Sequence, residues 1–202
     1  MLRALVVATT LALPSIAMAG PYGSLGIGTT GVNDSNSSDY TFQGNGRSWR
    51  AAVGYRFAPL SIVSLGTFNP SFSVEGGYTG FGVESDGFPY SADAIYAAGK
   101  ANVPLGHGLE VFAKAGVQHS SFNINNNRTD FDNGNGSQGG TGWLAGAGLE
   151  FRLSGITGMP PILGNSSLWV DWTYYDANMT NADSRSRDIA TDMLTVGFTI
   201  GI

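Results

Sequence analysis

The chain has 202 residues, of which only 12 % are charged, 30 are glycine and 11 % are aromatic; its formal net charge is −5 and it contains no cysteine. A charge fraction about half that of an ordinary soluble domain leaves too few charges to cover a water-facing surface. An acidic balance without basic clusters excludes nucleic acid as a partner. The lack of cysteine excludes disulfides and thiolate metal or redox chemistry.

In chain order, the first element is a leader. Met1-Leu2-Arg3 supplies one positive charge, Ala4 to Leu13 is apolar, Pro14 breaks the run, and Ala17-Met18-Ala19 places small residues where a signal peptidase reads. The pattern predicts a cleaved secretory signal over 1–19, with cleavage before Gly20 and one domain over 20–202. The apolar run, about ten residues, falls well short of the roughly 20 that a spanning helix needs. No later apolar stretch approaches that length. A membrane protein without spanning helices is left with a closed barrel, because every backbone N–H and C=O in lipid needs an internal partner.

The period that recurs after the leader is two. From Ser48 to Phe57 the odd positions are Trp49, Ala51, Val53, Tyr55 and Phe57, and the even ones are small or charged. From Thr141 to Arg152, Trp143, Ala145, Ala147, Leu149 and Phe151 alternate with Gly142, Leu144, Gly146, Gly148, Glu150 and Arg152. At the C-terminus Leu194, Val196, Phe198, Ile200 and Ile202 alternate with Thr195, Gly197, Thr199 and Gly201. Strands of ten or more residues, with aromatics near their ends and small residues opposite, point to lipid on the apolar side. Eight segments are predicted, over 20–32, 47–57, 68–82, 90–103, 108–122, 141–152, 167–176 and 189–202. The fold class is therefore all-β, an eight-stranded antiparallel up-and-down transmembrane β-barrel. Trp49, Val53, Tyr55, Trp143, Leu149, Phe198 and Ile200 are expected to face lipid.

The connections after the first, third, fifth and seventh segments are polar and acidic; those after the second, fourth and sixth carry proline. Long polar loops on one rim and tighter turns on the other are the expectation, although the second and sixth connections run long for turns. Within the fifth loop, Asp130-Phe131-Asp132-Asn133-Gly134-Asn135-Gly136 is only superficially like a calcium loop. Its glycine comes one position early and no closing glutamate follows, so a turn-rich loop is expected and no metal site.

The opposite parity carries Arg50, Arg56, Glu75, Lys100, Glu110, Lys114, Glu150, Arg152 and Asp171. An eight-stranded barrel is just wide enough for side chains to fill, and charges there must pair. A salt-bridged plug is expected; the alternative is a narrow ion-conducting pore whose pairs switch. A second constellation is Asp93, His119 and Ser121. A hairpin centred on Gly106 sets Asp93 across from His119, with Ser121 two residues on and all three outward near the polar-loop rim. Serine, histidine and carboxylate can form a nucleophile–base–orienter triad. Polar residues are also what a strand end at a membrane rim favours, so no catalysis is expected, and His107 reads as a solvated turn residue.

Gly54-Tyr55-Arg56-Phe57, the stretch Gly99 to Gly116, Gly142 to Phe151 and the alternating C-terminal strand resemble the OmpA-like transmembrane β-barrel family over nearly the whole span after the leader. The resemblance implies a barrel with a polar, salt-bridged interior, in which Glu75, Lys100, Lys114 and Glu150 correspond in kind to the family's lumenal charges. Nothing in these residues matches the peptidoglycan-binding domain of full-length members, so tethering to the cell wall is not implied. Ile202 stands where the family has an aromatic. Lipid-A deacylases of the PagL type place a His-x-Ser pair on a barrel's outer face, and His119-Ser120-Ser121 has that spacing. The expectation is an outer-membrane barrel of a Gram-negative bacterium with a structural and surface-interaction role and no cofactor. It is expected as a single copy, with outer-membrane lipid, lipopolysaccharide and the barrel-assembly machinery, through the last strand, as partners.

Overall fold

A computed structural model describes residues 20–34, 43–59, 70–85, 88–123, 137–153, 165–180 and 186–201. Eight antiparallel strands close on themselves in sequence order. They are β1 (Pro21–Asp34), β2 (Gln43–Arg56), β3 (Ser71–Ser85), β4 (Phe88–Gly106), β5 (Leu109–Asn123), β6 (Ser137–Arg152), β7 (Ser166–Thr180) and β8 (Ser186–Gly201). Closure pairs β1 with β8, Leu25 opposite Phe198, so no strand keeps an unpaired edge. The ladder climbs as it goes round. From Gly23 it passes through Val53, Gly76, Ala97, Val117, Trp143, Asp176 and Ala190 and returns to β1 at Asn33, ten residues farther on. That stagger tilts the strands and sets an interior wide enough for one layer of interdigitated side chains.

Parity decides which way each side chain points. Leu25, Ile27, Trp49, Val53, Val74, Ile95, Val117, Trp143, Leu168, Trp172, Leu194 and Val196 stand exposed on the outside. Their chain neighbours turn inward; Gly26, Ser48, Arg50, Ala52, Ser73, Ala94, Leu144, Asp171, Met193 and Thr195 among them are buried. In β4 the inward positions Ala92, Ala94 and Ala98 are as apolar as the outward ones, which hides the alternation in the sequence.

Two expectations are corrected. The β4–β5 hairpin turns at His107-Gly108 and not at Gly106. The register shifts between Pro104 and Gly106, and Gly106 pairs with Leu109. Gly106, His107 and Gly108 have φ of 105°, 52° and 79°, a left-handed run in which His107 is the one side chain that carries strain. Moving the turn centre by one residue moves every partner by two, so the facing survives while the pairs change. The loops also do not sort by length. Ser85 pairs with Phe88, which leaves only 86 and 87 between β3 and β4, on the rim expected to carry long loops. The longest connections on the other rim are 57–70 and 153–165. Strand ladders run past the expected ends on the polar-loop rim, to Asp34 in β1 and back to Ser137 in β6, and absorb what reads as loop. The leader and the Asp130–Gly136 segment lie outside the described residues.

Candidate functional site: the barrel lumen

All nine inward charges converge in the half of the lumen nearest the chain ends. Along β6, running away from the polar loops, the inward side chains are Leu144, then Glu150, then Arg152; along β2 they are Ser48, Arg50 and Arg56. The six strands β2 to β7 contribute these charges, toward the rim where β1 starts and β8 ends, the terminus rim.

Glu150 is the hub there. Its Oε1 accepts from Arg56 at 2.6 Å and Ser167 Oγ at 2.7 Å, and its Oε2 from Lys100 at 2.7 Å and Asn102 Nδ2 at 2.9 Å. The side chain is wholly shielded from solvent, and a buried carboxylate persists as an ion only with such a set of donors. Asn102 Nδ2 also lies 3.0 Å from Glu110 Oε2, and Glu110 Oε1 receives Arg152 at 2.7 Å. The Lys100 ammonium sits 3.9 Å from the centre of the Phe112 ring.

One layer deeper, a single oxygen of Asp171, Oδ2, receives both Arg50 at 2.9 Å and Lys114 at 2.6 Å. Arg50 also stacks over Trp169, 4.4 Å from the ring centre. That indole occupies space left by two glycines: a Cβ at Gly26 or Gly197 would fall 2.4 Å or 2.1 Å from its ring atoms. Glu75 differs from the other carboxylates. It forms none of the ion pairs among the described residues and instead accepts the hydroxyls of Tyr22 at 3.0 Å and Tyr96 at 3.2 Å. The expectation that Glu75 pairs with a cation is therefore corrected. Its ladder partners Gly54 and Ala98 carry no polar side chain, Tyr22 and Tyr96 reach it from β1 and from farther along β4, and Asp171 has taken Arg50 and Lys114.

Toward the polar-loop rim the lumen changes character, a feature the sequence reading missed. Phe81, Ala92, Ala94, Leu144, Tyr175 and Met193 fill it as an apolar layer, with Leu144 and Met193 at 1 % and 0 % exposure. Phe81 meets Tyr175 edge to face at 5.1 Å. The Tyr175 hydroxyl lies 3.2 Å from Thr79 Oγ1. Beyond this layer, Gln118 Nε2 donates to the carbonyl of Asp176, and Ser120 Oγ donates to Gln118 Oε1.

On the outer surface, Trp49, Val53, Trp143, Leu149 and Ile200 are exposed, while Tyr55 and Phe198 stand half-buried on the same outward parity. Aromatic pairs gather near the polar-loop rim: Trp49 with Tyr78 at 5.3 Å and Trp143 with Tyr174 at 5.4 Å. Tyr55 meets Phe57 at 5.5 Å near the other rim. Asp93, His119 and Ser121 do share the outward face, but Asp93 is opposite Ser121, and His119 is opposite Ile95. Asp93 hydrogen-bonds with the Tyr78 side chain. Among the described residues no hydrogen bond joins His119 to either Asp93 or Ser121.

An apolar outer belt between aromatic fringes, a closed ladder and a packed polar interior define an integral eight-stranded β-barrel of the outer-membrane type. Residues 2–200 match the outer membrane protein beta-barrel domain, and the chain belongs to that family. Among solved structures, Neisserial surface protein A superposes with a TM-score of 0.63 at 13 % identity, covering 91 % of this chain and 99 % of that one. Ail, the attachment invasion locus protein of Yersinia pestis, gives 0.49 at 16 % identity, covering 91 % and 100 %. The outer membrane enzyme PagL gives 0.46 at 18 % identity, covering 90 % and 99 %. At such identities the likeness shows the fold alone. No curated protein matches the sequence.

Proposed function

We propose that the protein is a sealed structural barrel of the Gram-negative outer membrane. It spans the envelope's outer bilayer and presents its polar loops for surface interactions. The observation that carries this reading is the double seal of the lumen. A salt-bridged layer around Glu150 and Asp171 is backed by the solvent-free apolar layer of Leu144, Met193, Phe81 and Tyr175. An ion that crossed would have to break paired charges and then shed its water against hydrocarbon side chains. A narrow ion-conducting pore is the competing function, and it requires both layers to open together.

The outward faces meet lipid, with lipopolysaccharide in the outer leaflet, and a single copy suffices because closure leaves no edge. The alternating strand β8 is the segment offered to the barrel-assembly machinery. Asp93, His119 and Ser121 have no catalytic role in this reading. The carboxylate is held by Tyr78 and is opposite the serine, and the strand N–H groups that an oxyanion would need are committed to the ladder. The test joins two measurements on protein from the outer-membrane fraction. The unheated sample migrates differently from the boiled one on a detergent gel, and incubation with lipid A releases no acyl chains. Co-migration of the two samples would remove the barrel reading. Acyl release abolished by both His119→Ala and Ser121→Ala would replace it with an enzyme.

A further inference from the structure

Every strand pairing but one joins neighbours in the chain; β8 with β1 joins the last strand to the first. No connecting loop holds that seam, and the entropic cost of bringing its two edges together is the largest in the ladder. Its lumenal side is also thinly furnished. The inward positions along it are Ser24, Gly26 and Gly28 on β1, opposite Thr199, Gly197 and Thr195 on β8. Such small residues give the two edges little apolar contact of their own.

One row of the ladder runs Trp169, Gly197, Gly26, Arg50, from β7 across the seam to β2. The Trp169 indole reaches from β7 over both glycines. A Cβ at Gly197 would lie 2.1 Å from its Cζ2, and one at Gly26 would lie 2.4 Å from its Cη2. Its Nε1 donates to Ser24 Oγ on β1 at 3.1 Å, and that oxygen lies 3.2 Å from Thr199 Oγ1 on β8. Arg50 lies over the ring, 4.4 Å from its centre, and returns to β7 through its 2.9 Å pair with Asp171. The contacts leave β7, cross the seam and come back.

We propose that Trp169 is an interior latch on the β8–β1 seam, which keeps the barrel wall from parting between its first and last strands. With the indole seated, β1 is tied to β7 as well as to β8. With the indole withdrawn, the seam is left to its ladder bonds, and a parted seam would offer two strand edges to another chain. Seating requires glycine at both positions, because any side chain there would occupy the space of the ring. Since Arg50 serves both the ring and Asp171, the latch also couples the seam to the deeper charge layer. The assignment concerns the wall of the barrel, so it stands or falls apart from whether the lumen conducts.

Deuterium exchange of the full-length barrel in detergent, read strand by strand by mass spectrometry, tests the latch. Trp169→Leu is expected to speed exchange in β1 and β8 about tenfold, the scale of one cation–π contact and one hydrogen bond lost together, and to leave β4 and β5 unchanged. Phe112→Leu is the control. Its ring covers Gly148 in the same way, but across β5 and β6, which a loop joins; its effect is expected there and not at the seam. The outward pair Leu25 and Phe198 is directly opposite across the seam, and the chain has no cysteine of its own. Cross-strand partners lie within disulfide reach, so oxidised Leu25→Cys with Phe198→Cys is expected to restore slow exchange to the Trp169→Leu barrel. Exchange that rises equally in all strands, that does not rise in β1 and β8, or that the disulfide fails to slow, overturns the latch. If Trp169→Leu does not fold, Ser24→Ala decides, since it removes only the acceptor of the indole N–H. A rise confined to β1 and β8 supports the proposal, and a uniform rise or none refutes it.

Discussion

Asp171 holds Arg50 and Lys114 on one carboxylate oxygen, so its loss strands two buried cations at once. Asp171→Ala is expected to cost about 3–5 kcal/mol, the range for breaking a buried pair by removing one partner, read from urea unfolding of the barrel in lipid vesicles. Glu75→Gln is a contrasting case, because its partners are two tyrosine hydroxyls for which an amide oxygen remains an acceptor. It is expected to cost about 1 kcal/mol, the scale of one weakened hydrogen bond. Equal losses for the two variants would contradict this division of the lumen. The inward charges were legible in the sequence because they sit at one parity of strongly alternating strands. The tyrosine partners of Glu75 were not, since Tyr22 and Tyr96 lie 53 and 21 residues away and meet it only through a register that the sequence leaves open. The role of Gly26 and Gly197 was hidden for the same reason. Alanine at either is expected to displace the Trp169 indole, and with it the stacked Arg50, seen as a changed tryptophan fluorescence spectrum in the folded barrel.

At the scale of the strands, the outer belt is a run of single-parity apolar positions, and its energetics follow from lipid. Arginine at Val53 or Val196, both exposed on the outside, is expected to cost on the order of 2–4 kcal/mol near the bilayer midplane. Spin labels at these two sites are expected to be relaxed by lipid-soluble oxygen and protected from a water-soluble nickel chelate. The reverse would mean that the faces are exchanged. Alternation shows that a strand has two faces, but it cannot rank them where both are apolar. Trp143 and Leu144, Tyr174 and Tyr175, and Leu194 and Met193 are adjacent pairs of this kind. In each, one residue points outward and the other into the apolar layer, a choice set by the register of neighbouring strands. The apolar seal was therefore invisible in the sequence, although the strand order was not. The β4–β5 register escaped prediction because Pro104 and two glycines admit more than one turn centre, and the left-handed backbone at Gly106-His107-Gly108 selects one of them.

At the scale of the whole molecule, closure of the ladder, the outer belt and the filled interior make one account: a barrel held in lipid by its surface and sealed by its core. The two seals are of different chemistry, so defeating one leaves the other. Leu144→Ala with Met193→Ala opens space beside Phe81 and Tyr175 but leaves Glu150 and Asp171 bound to their cations, and that double variant is expected to stay closed. Adding Asp171→Asn weakens the second seal and is expected to produce brief openings. Planar-bilayer recording tests the central claim most directly. The unsubstituted barrel, inserted from detergent into a voltage-clamped bilayer, is predicted to leave the baseline current unchanged, with insertion verified by the heat-dependent gel shift of the recovered protein. Large, steady conductance steps from the unsubstituted barrel would contradict the account and make the protein a pore.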